Sequence, residues 1–465
     1  MQIYGAGELF FYFLKKRIAK QVVFQSLAIH LLILSLFQNN LPHMGSFKLG
    51  NVDRGSMPAN KADFLAPYHV TLSDDLIKKG QFRDEVSGAW NSFVEVDPVN
   101  GVTIRHLQQF LKEAGFMPKS NVDGVYGYGT HAAVRLFQEY IRSVEGDPGI
   151  GVPDGEAGPK TLAYMENWKS KKAGTPEFVC EWGRSSIQSP SAEFLQWLLL
   201  LGKAKAHFTA NASPILQLID SFPKASDTRK VQDWDVSPET VHLIGIRRNQ
   251  EVDSTNRGND DLFILLIKGM VFKFYGSTDP NPEECKDKDG NPTKMPFLIE
   301  GQHHYQFGWH NRGNEEKTYR ALRPATSGVL VYRAPLGVRV MRDEDVLKGL
   351  DPSPNGTINI HWSGMGTGGN WSAGCQVIAG KSYINHKGDL VDCSKFAAGG
   401  YKALGSAMTR GAYNVFTDIV LSYAPLGVRT IAYTLGREKT LAISDKEANF
   451  VEKEVARMKG QVPKT

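Results

Sequence analysis

Cysteine is scarce in this chain: four in 465 residues, at positions 180, 285, 375 and 393. None forms a C-x-x-C pair and none stands at zinc-ligand spacing from a histidine, so the redox-motif and zinc-finger readings are excluded. Oxidation would leave two pairings open, Cys180–Cys285 or Cys285–Cys393. Charge of one sign is equally scarce. Lys and Arg number 54 against 49 Asp and Glu, a net charge of +5, which is too mild to point to nucleic acid. Low-complexity tracts are missing, and no internal repeat stands out. Long apolar runs are missing too. Val22 to Phe37 is broken by Gln25, Ser26 and His30 and is short for a membrane span. Lys15, Lys16, Arg17 and Lys20 precede it in the manner of an export signal, yet no small-x-small cleavage site follows. Residues 1–43 are therefore read either as a signal or membrane anchor, or as an upstream extension of a chain that starts at Met44. What remains is ordinary: 41% hydrophobic and 22% charged residues, with length for two or three domains.

The most informative feature is a cysteine with a histidine upstream. Cys375 lies in Trp371-Ser372-Ala373-Gly374-Cys375-Gln376, and His361 in Ile358-Asn359-Ile360-His361-Trp362. A thiol becomes a useful nucleophile near neutral pH when a base takes its proton. Thr357 to Ile360 alternates apolar and polar residues and predicts a strand ending at His361. A loop with Gly364, Gly366, Gly368 and Gly369 returns through Ser-Ala-Gly-Cys into Val377-Ile378. A lone cysteine is more often a small core hydrophobe; the histidine and the Ser-x-Gly frame favour a nucleophile with its base.

This layout resembles the catalytic core of the L,D-transpeptidases of the ErfK/YkuD type. His361, Ser372, Gly374 and Cys375 match their signature of a histidine, a loop, and Ser/Thr-His-Gly-Cys. Ala373 stands where the signature has its second histidine, and the loop from Trp362 to Trp371 is shorter than usual. The resemblance implies thiol acyl transfer on cell-wall stem peptides, as L,D-transpeptidase or as L,D-carboxypeptidase or endopeptidase. Cys375 is the nucleophile and His361 the base. Backbone N–H groups at Gly374 and Cys375 hold the oxyanion, and Ser372 positions the loop. Tyr305, His310, Trp371 and Gln376 are candidate substrate contacts. No cofactor and no metal is implied. The three histidines of Gly301-Gln302-His303-His304-Tyr305-Gln306-Phe307-Gly308-Trp309-His310 lack the helix and carboxylate of a zinc motif.

A second pattern lies upstream. Leu107-Gln108-x-Phe110-Leu111 is followed by Asp123-Gly124-Val125-Tyr126-Gly127-x-x-Thr130, by Ala133-Val134-x-x-Phe137-Gln138, and by Asp154-Gly155-x-x-Gly158-Pro159-x-Thr161-Leu162. The apolar spacing is helical, both Asp-Gly pairs predict turns, Thr130 is a candidate N-cap and Pro159 suits a first helical turn. The segment resembles the small helical peptidoglycan-binding domain, which implies glycan strands and stem peptides as partners. Location in the periplasm or at the wall follows, with the export route open.

The expected fold is multidomain α+β. It comprises an arm at 44–98, a three-helix peptidoglycan-binding domain at 99–168, a linker with helices at 169–235, a mainly β catalytic domain at 236–440, and a C-terminal helix or tail at 441–465. Strands are expected at Val241–Ile246, at Leu262–Lys268 and Met270–Tyr275 as a hairpin around Gly269, at Gly328–Arg333, and at Arg429–Leu435. Leu195, Leu198, Leu199 and Leu201 are expected on the packed side of a helix within 193–222. A non-catalytic wall-binding scaffold, and an exported toxin using the same chemistry, are the alternative functions.

Overall fold

The computed structural model describes residues 45–56, 77–78, 81–119, 121–211, 214–248, 258–310, 317–336, 338, 349–405, 407–425, 428, 430–438, 441 and 449–460. The N-terminal run around Val22–Phe37 lies outside them. Phe47–Thr465 forms one compact unit. Among the described residues no helix is long and apolar enough to cross a membrane.

The arm supplies five short strands: β1 (Asn51–Asp53), β2 (Ile77–Lys78), β3 (Gln81–Arg83), β4 (Trp90–Ser92) and β5 (Val94–Val96). It wraps the helical domain that follows. Asp53 accepts from the N–H groups of Ile104 and Arg105 at 2.8 and 2.9 Å, which satisfies the open N-terminus of α1 (Ile104–Glu113). Helices α2 (Tyr128–Ser143) and α3 (Pro159–Lys172) complete the three-helix domain. Phe110, Phe116, Phe137 and Trp168 meet edge to face at its centre.

The domain contains a repeat that its sequence hides. Gln108 donates to Asp123 Oδ1 and Thr130 Oγ1 and accepts from the Asp123 and Gly124 N–H groups. Thirty residues on, Gln138 donates to Asp154 Oδ1 and Thr161 Oγ1 and accepts from the Gly155 N–H. A buried glutamine thus fastens each Asp-Gly turn to the helix after it. Gly124 and Gly155 have φ of +77° and +83°, which a side chain would oppose. Thr130 is consequently not the N-cap of α2, where Gly127 stands; it is the anchor of the first bracket.

The segment after α3 is packed rather than loose. Trp182, on the short helix α4 (Glu181–Arg184), is fully buried, with Tyr140 at 5.0 Å and Phe272 at 6.1 Å. Helices α5 (Ala192–Ala210) and α6 (Pro214–Ser221) follow. α5 buries Phe194, Trp197, Leu200, Leu201, Ala204 and Phe208; Leu195 and Leu199 face outward, against expectation. The rings of Phe194, Trp197 and Phe208 claim the packed face.

The remaining strands are β6 (Thr228–Arg229), β7 (His242–Arg247), β8 (Asp261–Ile267), β9 (Met270–Ser277), β10 (Pro296–Leu298), β11 (Gly301–His310), β12 (Tyr319–Pro324), β13 (Val331–Arg333), β14 (Ile360–Trp362), β15 (Gln376–Ile378), β16 (Ser382–Ile384), β17 (Leu390–Asp392) and β18 (Ile431–Arg437). Eight of them close in the order β15-β14-β12-β11-β18-β7-β8-β9, because β15 pairs with β14 on one side and β9 on the other. The mainly β region forms an eight-stranded barrel. The β8–β9 hairpin turns at Lys268 and Gly269, both at positive φ, as a two-residue turn requires. Among the described residues β13 pairs with β10 alone, outside the barrel.

Both faces of the barrel wall are buried, which explains the unbroken apolar run of β8. Tyr433 on β18 reaches across to Gln376 on β15, Oη to Oε1 at 3.1 Å, so this face is the interior; Tyr305 packs against Tyr433 there. Outside, α5 and α8 (Phe450–Lys459) cover Ile244, Ile246, Leu262, Ile264 and Leu266. α7 (Ala412–Tyr423) is buried along its whole length, with Phe416 edge-on to Phe274 of the barrel.

The helical domain is bolted to the barrel through α7. Arg135 of α2 pairs with Asp418 at 2.8 Å and Glu85 at 3.0 Å, and Arg320 of β12 pairs with the same two carboxylates at 3.0 and 2.8 Å. All four side chains are buried. The Arg320, Arg135, His131 and Arg410 charges hold the Glu85 carboxyl far below the usual range although burial alone raises it.

Candidate active site

β14 and β15 lie side by side and parallel, with Ile360 opposite Gln376 and His361 opposite Val377. The strand begins at Ile360, so His361 is central in β14 rather than at its end. The Gln376 N–H donates to the Asn359 carbonyl at 2.9 Å, as the Ile360–Gln376 pairing requires. Cys375 precedes β15 by one residue, and the Asn359 N–H that meets its sulfur lies two residues before His361.

The thiol of half-buried Cys375 donates to the Thr357 carbonyl at 3.3 Å, and its sulfur accepts from the Asn359 N–H at 3.3 Å. Burial raises the thiol above its ordinary range, while the Asn359 N–H, the Ser372 hydroxyl and the Arg323 charge pull the other way. The resting group is a neutral thiol. No hydrogen bond joins Cys375 to His361 among the described residues.

The buried imidazole of His361 has a defined tautomer. Nδ1 lies 2.9 Å from the Trp362 carbonyl, which can only accept, so Nδ1 carries the proton and Nε2 the lone pair. Tyr319 Oη stands 2.9 Å from the same Nδ1 and 3.2 Å from the Trp362 carbonyl. Burial lowers the His361 pKa to about 4, with the carbonyl contact acting against it. His310, on β11, stacks on His361 with ring centroids 4.0 Å apart. Its Nδ1 faces Asn359 Nδ2 at 3.1 Å. Burial and the neighbouring His361 lower the His310 pKa as well, so the stacked pair is neutral near pH 7. The family position filled by Ala373 thus has no imidazole, but β11 brings a second one to the site.

The segment leading to Cys375 is pinned. Asn370 Nδ2 donates to Ser277 Oγ and the Asp279 carbonyl at 2.9 and 2.7 Å, and Asn370 Oδ1 accepts from the Ser372 N–H. Asn281 binds the Ser372 carbonyl and the Asn370 carbonyl, both at 2.7 Å. A Cβ on Gly374 would come 2.7 Å from the Pro296 ring, so only glycine fits that step. The Gly374 N–H donates to Ser372 Oγ at 3.1 Å, and so is not a free oxyanion donor. The Cys375 N–H has no acceptor among the described residues.

Two expected substrate contacts are elsewhere. Tyr305 is fully buried in the barrel, donating to the Ile358 carbonyl at 3.1 Å, and Gln376 is fully buried with its amide toward Tyr433. The strand period sends both inward, away from the face that carries His361. Trp371 is 37% exposed, and rings of Trp362 and Tyr401 lie 5.6 and 6.0 Å from it. Tyr319, Asn359, Arg323 and Tyr401 join the site without a sequence signal, because they come from separate strands and loops. The three histidines of β11 do not converge: His303 points inward between Thr228 Oγ1 and the Ile299 carbonyl, while His310 meets His361. Among the described residues no group of three or more metal-binding side chains assembles. All four cysteines are free thiols, so neither disulfide pairing forms.

Comparison with known proteins adds one finding. Residues 100–165, spanning α1 to α3, match the family model of the peptidoglycan binding domain. No curated protein and no solved structure matched the chain. The three-helix domain with its bracketed Asp-Gly turns is a peptidoglycan-binding domain, and peptidoglycan is the partner it supports.

Proposed function

We propose that the chain is a peptidoglycan-binding cysteine acyltransferase of the L,D-transpeptidase type, acting on stem peptides at the wall. One observation carries the reading: Cys375 sits one residue before β15 with its sulfur on the Asn359 N–H, two residues before His361 of the adjacent strand β14, and the Nδ1–H of His361 is held by the Trp362 carbonyl, which leaves Nε2 as the base. In the proposed reaction the Cys375 proton passes to Nε2 as the sulfur attacks an amide carbonyl. The imidazolium returns that proton to the departing amine, leaving an acyl-enzyme. An acceptor amine then gives transpeptidation or exchange, and water gives hydrolysis. The Cys375 N–H is the available oxyanion donor. Mass spectrometry of purified muropeptides incubated with the protein, with and without an added D-amino acid, tests the reading; unchanged muropeptides under both conditions would refute it.

A non-catalytic wall-binding scaffold is the second reading. The raised thiol and the missing Cys375–His361 hydrogen bond favour it. Labelling by a thiol-reactive probe at pH 7 separates the two: a scaffold leaves Cys375 no more reactive than an ordinary buried thiol.

A further inference from the structure

Trp371 is a partly exposed tryptophan packed against two other aromatic rings. The far edge of its indole rests on Gly364, where an added Cβ would fall 2.5 Å from the ring, and a Cβ added at Gly400 would lie 3.7 Å from the same edge. Trp362 packs against it at 83° and Tyr401 at 42°. The neighbouring Asn370 and Ser372 are fixed by hydrogen bonds. Its Nε1 has no hydrogen-bond partner among the described residues. Lys317 places an ammonium 6.0 Å from the Tyr401 ring, on the rim of this aromatic ledge. The ledge belongs to the site, since Tyr401 donates to Tyr319, the residue that contacts His361.

We infer that this ledge binds the sugar of peptidoglycan: Trp371 stacks on a saccharide ring while its free indole N–H donates to a sugar hydroxyl. The inference rests on the acyltransferase reading for the part of the substrate at Cys375. The ligand class follows from chemistry. Stem peptides are short and polar and offer little flat apolar surface, whereas a pyranose presents a face of C–H groups that suits an indole. A rigid exposed aromatic loses little entropy on binding. Residues 100–165 of the same compact unit already support peptidoglycan, the polymer that carries this sugar, as the partner.

The test uses full-length protein labelled with 5-fluorotryptophan, the Trp371 resonance being assigned by its loss in Trp371→Phe. Peptide-free chito-oligosaccharide and a disaccharide-tetrapeptide should shift that resonance saturably, and free tetrapeptide should leave it nearly in place. Trp371→Ala should raise KM for the disaccharide-tetrapeptide by about three- to tenfold, and by clearly less for free tetrapeptide. A resonance that responds to free tetrapeptide but to neither sugar ligand would overturn the inference, as would silence toward all three. Because the resonance needs no turnover, a protein without acyl transfer whose Trp371 still answers to sugar would refute the enzymatic reading and leave the ledge standing.

Discussion

The hydroxyl of Tyr319 lies 2.9 Å from Nδ1 of His361, and the guanidinium of Arg410 lies 4.4 Å above the Tyr319 ring. A buried phenol, oriented by a cation on its face and by Tyr401 at its oxygen, thus holds the candidate base from the side opposite Nε2. In the peptidoglycan reading Tyr319 is a positioning residue: it fixes which nitrogen is free. Tyr319→Phe is expected to slow turnover by about tenfold, the worth of one or two ordinary hydrogen bonds. The acid limb of the pH–rate profile should shift with it. An unchanged profile would assign Tyr319 to packing alone.

Cys375→Ala should abolish turnover, because no other group can form the acyl-enzyme. The thiol makes two weak hydrogen bonds, to Thr357 and from Asn359, so the thermal midpoint should move by only a few degrees. Muropeptide turnover and a melting curve on the same preparation check both halves.

His361→Ala is expected to lower turnover by about two to four orders of magnitude. Iodoacetamide labelling of Cys375 at pH 7 should slow as well. An unaltered labelling rate would show that the imidazole does not assist the thiol.

The buried histidines give the fold an acid sensitivity of known sign. His361 is held at about 4, and His131 and His303 at about 3, with burial the leading cause in each. In the unfolded chain they take up protons near about pH 6.5. Between that pH and their folded values the unfolded state binds more protons, so stability falls as pH falls and is fully present above about 6.5. Urea unfolding at pH 7.5, 6 and 5 should show a declining midpoint. The catalytic acid limb should lie near the folded His361 value of about 4, well below an ordinary imidazole.

Asp418→Asn is expected to cost about 3–5 kcal/mol, because it leaves two buried guanidiniums short of a counter-charge. Denaturation of the native protein should be one transition by tryptophan fluorescence and by circular dichroism. Two separated transitions would show that helical domain and barrel fold independently.

Much of this was legible where the pattern is local. The Asp-Gly turns, Pro159 at the start of α3, the hairpin at Gly269 and the strand after Cys375 all follow from residues a few positions apart. Closure of the barrel was not, because β15 contributes only three residues, which must pair with two strands distant in sequence. The Gln108 and Gln138 brackets escaped because their partners lie 15 to 23 residues on, and only the geometry reveals them as equivalent. Tyr305 and Gln376 were misassigned for a related reason: proximity in sequence to a site says nothing of which barrel face a side chain takes. Cys375, His361 and His310 could be named from the sequence as candidates. Tyr319 and Asn359, which strand order gathers beside them, could not.

The four-charge lock of Arg135, Glu85, Arg320 and Asp418 has a consequence for how the molecule meets its polymer. A tethered anchor raises encounters while leaving its cargo free to tumble. Here the helical domain and the barrel share one buried ion cluster, so in the acyltransferase reading whatever polymer the helical domain holds also sets the angle at which Cys375 and His361 meet it. On that reading the protein would meet the wall as a rigid stencil, with turnover set by the spacing and direction of the sacculus mesh as well as by its chemistry.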